Sequence, residues 1–293
     1  DSVMSVTIPY FRNFLAMYIG QTHDLGPIPR TMRIAITGVA GLIGGVVHDH
    51  FAALGHEVVG IDRPHGDWIE AGRNTEDQTA YSRVSVAIDL AGAGDEQLES
   101  IFEGVDILVH LAADANPSND DKSMLRNNIE VTTNLFRCAL NARIRRVIVA
   151  SSGLAQVGLE SLFAEGGPFH GRLITVEDGV APTSTYGASK IYAEVLAEMY
   201  ARVHGMETIA VRIGTVIPNE TEHWARGGRL QATAFLKEDV RRFFEACIES
   251  NLDSHLLTVA QSDSPGRFLD LEPGTSTLNW SPIEWPTNSE NLQ

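Results

Sequence analysis

The run Thr37-Gly38-Val39-Ala40-Gly41-Leu42-Ile43-Gly44 constrains this chain more than any other stretch. It continues Arg33-Ile34-Ala35-Ile36-Thr37, a short β-branched apolar run that reads as a buried strand. After the glycines, Leu42, Ile43, Val46, Val47, Phe51 and Leu54 recur at helical spacing up to Gly55. Residues 57–61 then read as a second buried strand, ending in Asp62. Strand, glycine turn, helix, strand and acid is the order of a dinucleotide-binding βαβ unit. The glycines let the turn close and the backbone approach a pyrophosphate, to which a helix start offers free N–H groups and a positive dipole end. Asp62, 18 positions beyond Gly44, is placed to accept hydrogen bonds from an adenosine ribose. Three spaced glycines alone are often only a turn. The strands, helix and acid around them are what point to a cofactor.

The alternation continues. Strands are predicted at 84–88, 105–111, 146–150 and 208–213, with helices at 95–102, 122–142 and 186–204. The polar stretch 63–83 and the Gly- and Pro-bearing stretch 154–184 read mostly as loops. Continuously apolar strands alternating with helices imply an α/β fold, a doubly wound parallel (Rossmann) sheet covered on both faces. Past Gly214 the pattern breaks into a loop to Ala232, a helix near 237–250, a short strand near 256–260 and an irregular tail. The expected organisation is an amino-terminal extension (1–31), a dinucleotide-binding domain (32–214) and a small C-terminal substrate-binding lobe (215–293).

With 38 acidic against 22 basic residues, the net charge of −16 argues against nucleic acid or an anionic membrane as partner. No run approaches the roughly 20 apolar residues of a membrane span. Cys138 and Cys247 both sit in apolar helical patterns and read as buried free thiols of a reducing compartment, so a cytoplasmic location is expected. The histidines do not form a metal site: His48 and His50 face different ways on one helix, and His110 ends a buried strand. His223 precedes Arg229 in a loop, where it lines the pocket or is merely mobile.

The chemistry-bearing motif is Tyr186-Gly187-Ala188-Ser189-Lys190, which sets a phenol and an ammonium one helical turn apart on one face. A tyrosine titrates near pH 10, too high for a base, and a neighbouring cation favours the phenolate. The pair therefore suits general base work on an alcohol. On its own it would be an aromatic and a lysine on a helix surface. The dinucleotide unit before it and the hydroxyl pair Ser151-Ser152 at a strand end shift the reading toward catalysis.

These motifs, with Asp89-Leu90, His110-Leu111-Ala112-Ala113, Asn127-Asn128 and Arg212-Ile213-Gly214, resemble the extended short-chain dehydrogenases/reductases, the NAD-dependent epimerase/dehydratase group, over roughly residues 32–215. The resemblance implies that Gly38, Gly41, Leu42, Ile43 and Gly44 hold the pyrophosphate, that Asp62, Asp89 and Leu90 frame the adenosine, and that Ala112 and Ala113 lie along the cofactor. It further implies Tyr186 as base, Lys190 on the nicotinamide ribose, Ser152 as hydroxyl partner of Tyr186 and Asn128 as anchor of a proton-relay water. Arg63 could tolerate a 2′-phosphate that Asp62 would repel, so NAD is favoured and NADP is not excluded. The group often forms homodimers through the helices at 122–142 and 186–204. The stripe Ile191, Val195, Met199, Val203 is compatible with that and with facing the sheet.

Within the group, 79 residues after Gly214 are expected to hold a small free substrate rather than a nucleotide sugar. The stretch Ser152-Gly153-Leu154-Ala155-Gln156 lacks the carboxylates of the dehydratases. The most similar subgroup is the compact uronate dehydrogenases, which oxidise C1 of a hexuronic acid, through 211–215, 229–235, 237–240 and 279–282. There the position of Arg229 grips the substrate carboxylate, and those of Ser152 and Thr215 supply hydroxyl contacts. Gly153, Leu154 and Ala115 replace three polar contacts of that subgroup, leaving a more apolar pocket that a less oxidised aldose fits equally well. The expectation is an NAD-dependent dehydrogenase of a small sugar or sugar acid. Its alternatives are a sugar epimerase of the same group or a non-catalytic NAD(H) sensor.

Overall fold

The computed structural model describes residues 31–67, 77–116 and 118–286. Most of the expected amino-terminal extension and the middle of the polar stretch after Asp62 lie outside the described residues. The elements run β1 (Arg33–Thr37), α1 (Leu42–Ala53), β2 (Glu57–Asp62), α2 (Gln78–Ser82), β3 (Val86–Ala87), α3 (Asp95–Ile101), β4 (Ile107–His110) and α4 (Asp121–Met124). A π-helical stretch, Leu125–Glu130, carries α4 directly into α5 (Val131–Asn141). Then follow β5 (Arg146–Ser152), α6 (Glu160–Phe163), α7 (Thr185–His204), β6 (Glu207–Ile213), α8 (Glu222–Arg226), α9 (Gly228–Ala232), α10 (Lys237–Glu249), β7 (His255–Ala260) and α11 (Gly274–Leu278).

All strand pairs are parallel, in the order β3-β2-β1-β4-β5-β6-β7. The chain winds outward through β2 and β3, then returns to β1's other side, so a crevice opens beyond the ends of β1 and β4. Because side chains alternate along a strand, each strand feeds both faces. Ile34 and Ile36 of β1 join Val47 and Phe51 of α1 and Phe243 and Phe244 of α10 on one face. Ala35 joins Leu135, Phe136 and Ala139 of α5 and Ala197 and Tyr200 of α7 on the other.

The structure alters several sequence expectations. Asp77 caps α2, its side chain accepting from Ala80 N at 2.9 Å, which turns the end of the polar stretch helical. The third strand shrinks to Val86–Ala87, since only Ile61 and Asp62 of β2 pair with it. Residues after 214 add β7 to the same sheet and pack α10 on α1, where His50 Nε2 meets Glu245 Oε2 at 2.7 Å. That segment is thus continuous with the sheet's core. In the turn after β1, geometry requires glycine at two positions: a Cβ on Gly38 (φ 75°) would lie 2.8 Å from Ala112 N, and one on Gly44 2.2 Å from Gly38 O. Cys138 and Cys247 are buried and free.

Candidate active site

Gly38, Gly41, Leu42, Ile43 and Gly44 meet Ala112 and Ala113 across the crevice, and Ser152, Tyr186 and Lys190 close the same cleft of about 300 Å³. Asp62, Arg63, Asp89, Leu90 and Asn127 line a smaller recess that shares Ala112 and Ala113 with it. The cofactor residues expected from sequence therefore form one groove along the strand ends. Ala115, Ser151 and Gly214, which the sequence marks, complete its wall with Leu111, Ile213, Ala150 and Val216, of which Ala150 and Val216 carry no sequence signal beyond lying near a strand end.

The groove fits a dinucleotide. Helix α1 starts at Gly41 with no side-chain cap and no acid in its first turn, so its end presents N–H groups that the chain itself does not satisfy from a side chain. An anion belongs there. Asp62 is 4% exposed and accepts from Ala40 N (2.9 Å) and Arg63 N (2.8 Å), which fixes the carboxylate at the end of β2. Arg63 donates to Asn127 Oδ1 at 2.6 Å, and Arg126 to Asp89 Oδ2 at 2.8 Å. Thr37 Oγ1 accepts from Ala112 N (3.2 Å) and meets His110 Nδ1 (2.8 Å), while His110 Nε2 meets Thr132 Oγ1 (3.0 Å). Burial, reinforced by the Lys190 charge, pulls His110 down to about 3, so it stays neutral and pins β1 to β4.

The Tyr186–Lys190 pair has the expected placement and a different electrostatic balance. Ser184 caps α7, accepting from Gly187 N at 3.2 Å, and so holds Tyr186 in the first turn at the groove. Lys190 Nζ lies 5.7 Å from the phenol ring centre and donates to Ala150 O at 3.0 Å. Burial draws Lys190 down to about 8. The expected lowering of Tyr186 is not found: burial raises the phenol, the Ser152 hydroxyl opposes this, and the Asp114 charge adds to it. Burial dominates because the phenol has lost its water. Ser152 caps the turn after β5, its oxygen accepting from Leu154 N at 3.2 Å.

Asn128 is buried in the π-helical stretch, and its amide is committed to the protein. It accepts from Asp114 N (2.8 Å) and donates to Asp114 O (3.0 Å) and Ser189 Oγ (2.9 Å). Beneath the groove Glu194, one turn beyond Lys190, accepts from Ser151 Oγ at 2.5 Å and from Arg212 Nε and Nη2 at 2.8 Å each. Helical spacing from Tyr186 and Lys190 could have found Glu194. Thr215 and Arg229 are not among the residues that line the cleft: Thr215 Oγ1 lies 2.8 Å from Thr233 Oγ1, and Arg229 is gripped by Glu160, with Nε–Oε2 and Nη2–Oε1 at 2.9 and 2.8 Å. No sequence signal connected Glu160 with Arg229. His223 is fully buried, with Nδ1 against Leu230 O at 3.0 Å, so it neither lines the groove nor moves freely.

The NAD dependent epimerase/dehydratase family matches residues 34–242. The chain belongs to that family. It is similar to L-arabinose 1-dehydrogenase (NAD(P)(+)) of Haloferax volcanii, 30% identical over 85% of this chain and 96% of that one. It is also similar to uronate dehydrogenase of Pseudomonas syringae pv. tomato, 25% identical over 85% and 81% of the two chains. The crystal structure of uronate dehydrogenase from Agrobacterium tumefaciens superposes with a TM-score of 0.68 at 24% identity, over 89% of this chain and 87% of that one. This likeness establishes the shared fold. Among the described residues no helix is long and apolar enough to cross a membrane.

Proposed function

We propose that this family member is an NAD-dependent oxidoreductase that oxidises a hydroxyl, at C1, of a small free sugar or sugar acid. The observation that carries the reading is that Tyr186 and Lys190 open into the same cleft as the glycine loop. A nicotinamide bound there would supply the hydride acceptor for the carbinol carbon. Gly38, Gly41, Leu42, Ile43 and Gly44 hold the pyrophosphate, Asp62, Arg63, Asp89 and Leu90 the adenosine half, and Ala112 and Ala113 the span between. Asp62 disfavours a 2′-phosphate, so NAD is preferred over NADP.

Tyr186 takes the hydroxyl proton, with Ser152 donating to the phenolate and Lys190 favouring the anion by its charge. Asn128 acts through Ser189 and Asp114 as a positioning residue of α7. Thr215 and Arg229 shape the substrate side, which falls within 215–293. Two copies pair through the helical segment 122–142 and α7: Val195 is 60% and Leu125, in the π-helical stretch, 54% exposed, whereas Ala193 and Ala197 are buried. The free buried thiols suit a cytoplasmic enzyme.

The test is NAD reduction across a panel of uronates and aldoses. Tyr186→Phe is expected to lose about 10²–10⁴-fold in kcat, and a phenylalanine variant with full activity would remove the assigned base. Cofactor retained through purification with no net reduction would instead mark an epimerase, and cofactor binding without turnover of any sugar a sensor.

A further inference from the structure

We propose that Glu194 is a positioning residue of the Tyr186–Lys190 pair, which with Ser151 and Arg212 locks the end of β5 against α7. The inference rests on the dehydrogenase reading and adds the residues that hold its base in place. Tyr186, Lys190 and Glu194 follow one another at intervals of four along α7, so they share one side of the helix. The last three residues of β5 meet that side in three separate contacts. Ala150 O accepts from Lys190 Nζ at 3.0 Å, and Ser151 Oγ donates to Glu194 Oε1 at 2.5 Å. The Ser152 hydroxyl bonds the Tyr186 phenol.

The contacts of Ala150 and Ser151 close a ring. The carbonyl that holds Lys190 belongs to the peptide joining Ala150 to Ser151, and the Ser151 side chain is tied back to α7 one turn further on. Rotating that peptide breaks one contact or the other, so each fixes the other's geometry. Arg212 secures the far side. It stands opposite Ser151 in the parallel pairing of β5 with β6, so both side chains leave the sheet on the same face. Its Nε and Nη2 each reach one Glu194 oxygen at 2.8 Å, which keeps the carboxylate from turning away from Ser151. Ser151, Lys190, Glu194 and Arg212 are all buried, so water is not at hand to replace a lost contact. Glu194 and Arg212 do not line the cleft, whereas Tyr186, Lys190 and the three β5 residues do. What the fork does for the reaction it does through them.

The experiment pairs kcat for the panel sugar that wild type oxidises fastest with calorimetric binding of NADH, which needs no turnover. NADH reports on Lys190 because the family resemblance sets that residue on the nicotinamide ribose. Ser151→Ala removes the hydroxyl, and Glu194→Leu with Arg212→Met removes the carboxylate without stranding a charge. Each is expected to lower kcat about tenfold and leave the sugar KM within about twofold, because the reacting groups are misplaced and not lost. Each is also expected to weaken NADH binding about fivefold. Glu194→Gln with Arg212→Met keeps an amide oxygen for Ser151 and is expected to hold both values within about twofold of wild type. In a Lys190→Met background, Ser151→Ala is expected to weaken NADH no further, since the group it positions is gone. Unchanged kcat and NADH affinity in Ser151→Ala, or an undiminished loss of NADH affinity in the Lys190→Met background, overturns the proposal and leaves the oxidoreductase reading intact. Absence of sugar turnover by wild type removes the oxidoreductase reading, and NADH binding across the same variants then decides the proposal alone. Weakening that requires Lys190 supports it; no weakening, or weakening indifferent to Lys190, overturns it as well.

Discussion

Two glutamate–arginine forks stand on the segments that flank the cleft, and they differ in almost everything but chemistry. Glu194 and Arg212 lie beneath it, on α7 and β6, with side chains 5% and 2% exposed. Glu160 and Arg229 are 24% and 45% exposed. The inner pair is cut off from water, so either charge left alone would be stranded in a poor solvent. It also takes the Ser151 hydroxyl, and thereby ties the end of β5 to the helix that carries Tyr186 and Lys190. The outer pair can trade its partner for water or a ligand at little cost. One composition of residues yields a strut where it is dry and an exchangeable contact where it is wet.

That contrast can be broken at four points. The largest effect is expected for Glu194→Gln, which leaves Arg212 charged and uncompensated. A loss of about 3–5 kcal/mol in chemical denaturation is expected, and a loss below about 1 kcal/mol would show that water reaches the inner pair. Arg212→Met with Glu194→Gln should recover much of the loss, because no stranded charge remains.

Next comes pH. Lys190 titrates near 8 in the folded protein against 10.5 unfolded, so between those values the unfolded chain binds more protons and stability rises with pH. Lys190→Met is expected to remove that rise, measured by denaturant midpoints at pH 8 and 10. A slope unchanged by the substitution would assign it to another group. His110 acts in the same sense at acid pH: held near 3, it makes stability fall as pH drops below 6.5. The smallest effect is expected for Glu160→Ala, below about 1 kcal/mol in chemical denaturation, because the pair is exposed to water.

Much of the cofactor end was legible in the linear chain, because its determinants are local. The glycine turn, α1 and Asp62 are consecutive, and Tyr186 and Lys190 share one helix face through spacing alone. The substrate side was legible only as a collection of residues. Arg229 could be named as a candidate cation, but its partner lies 69 positions away on a segment read as loop. Asn128 could be named too, while its commitment to Asp114 and Ser189 follows from a π-helical stretch that no apolar periodicity announces.

Sequence alone determined that this chain winds a parallel sheet around a dinucleotide groove and brings a tyrosine–lysine helix to it. Periodicity and glycine spacing act over a few residues, so they survive being read in one dimension. Tertiary structure decided the solvent of each charge: which phenol is dry enough to resist ionisation, which fork is buried, and which arginine already has its carboxylate. Those depend on what distant segments exclude from each site, and water is excluded only once the chain has closed around it.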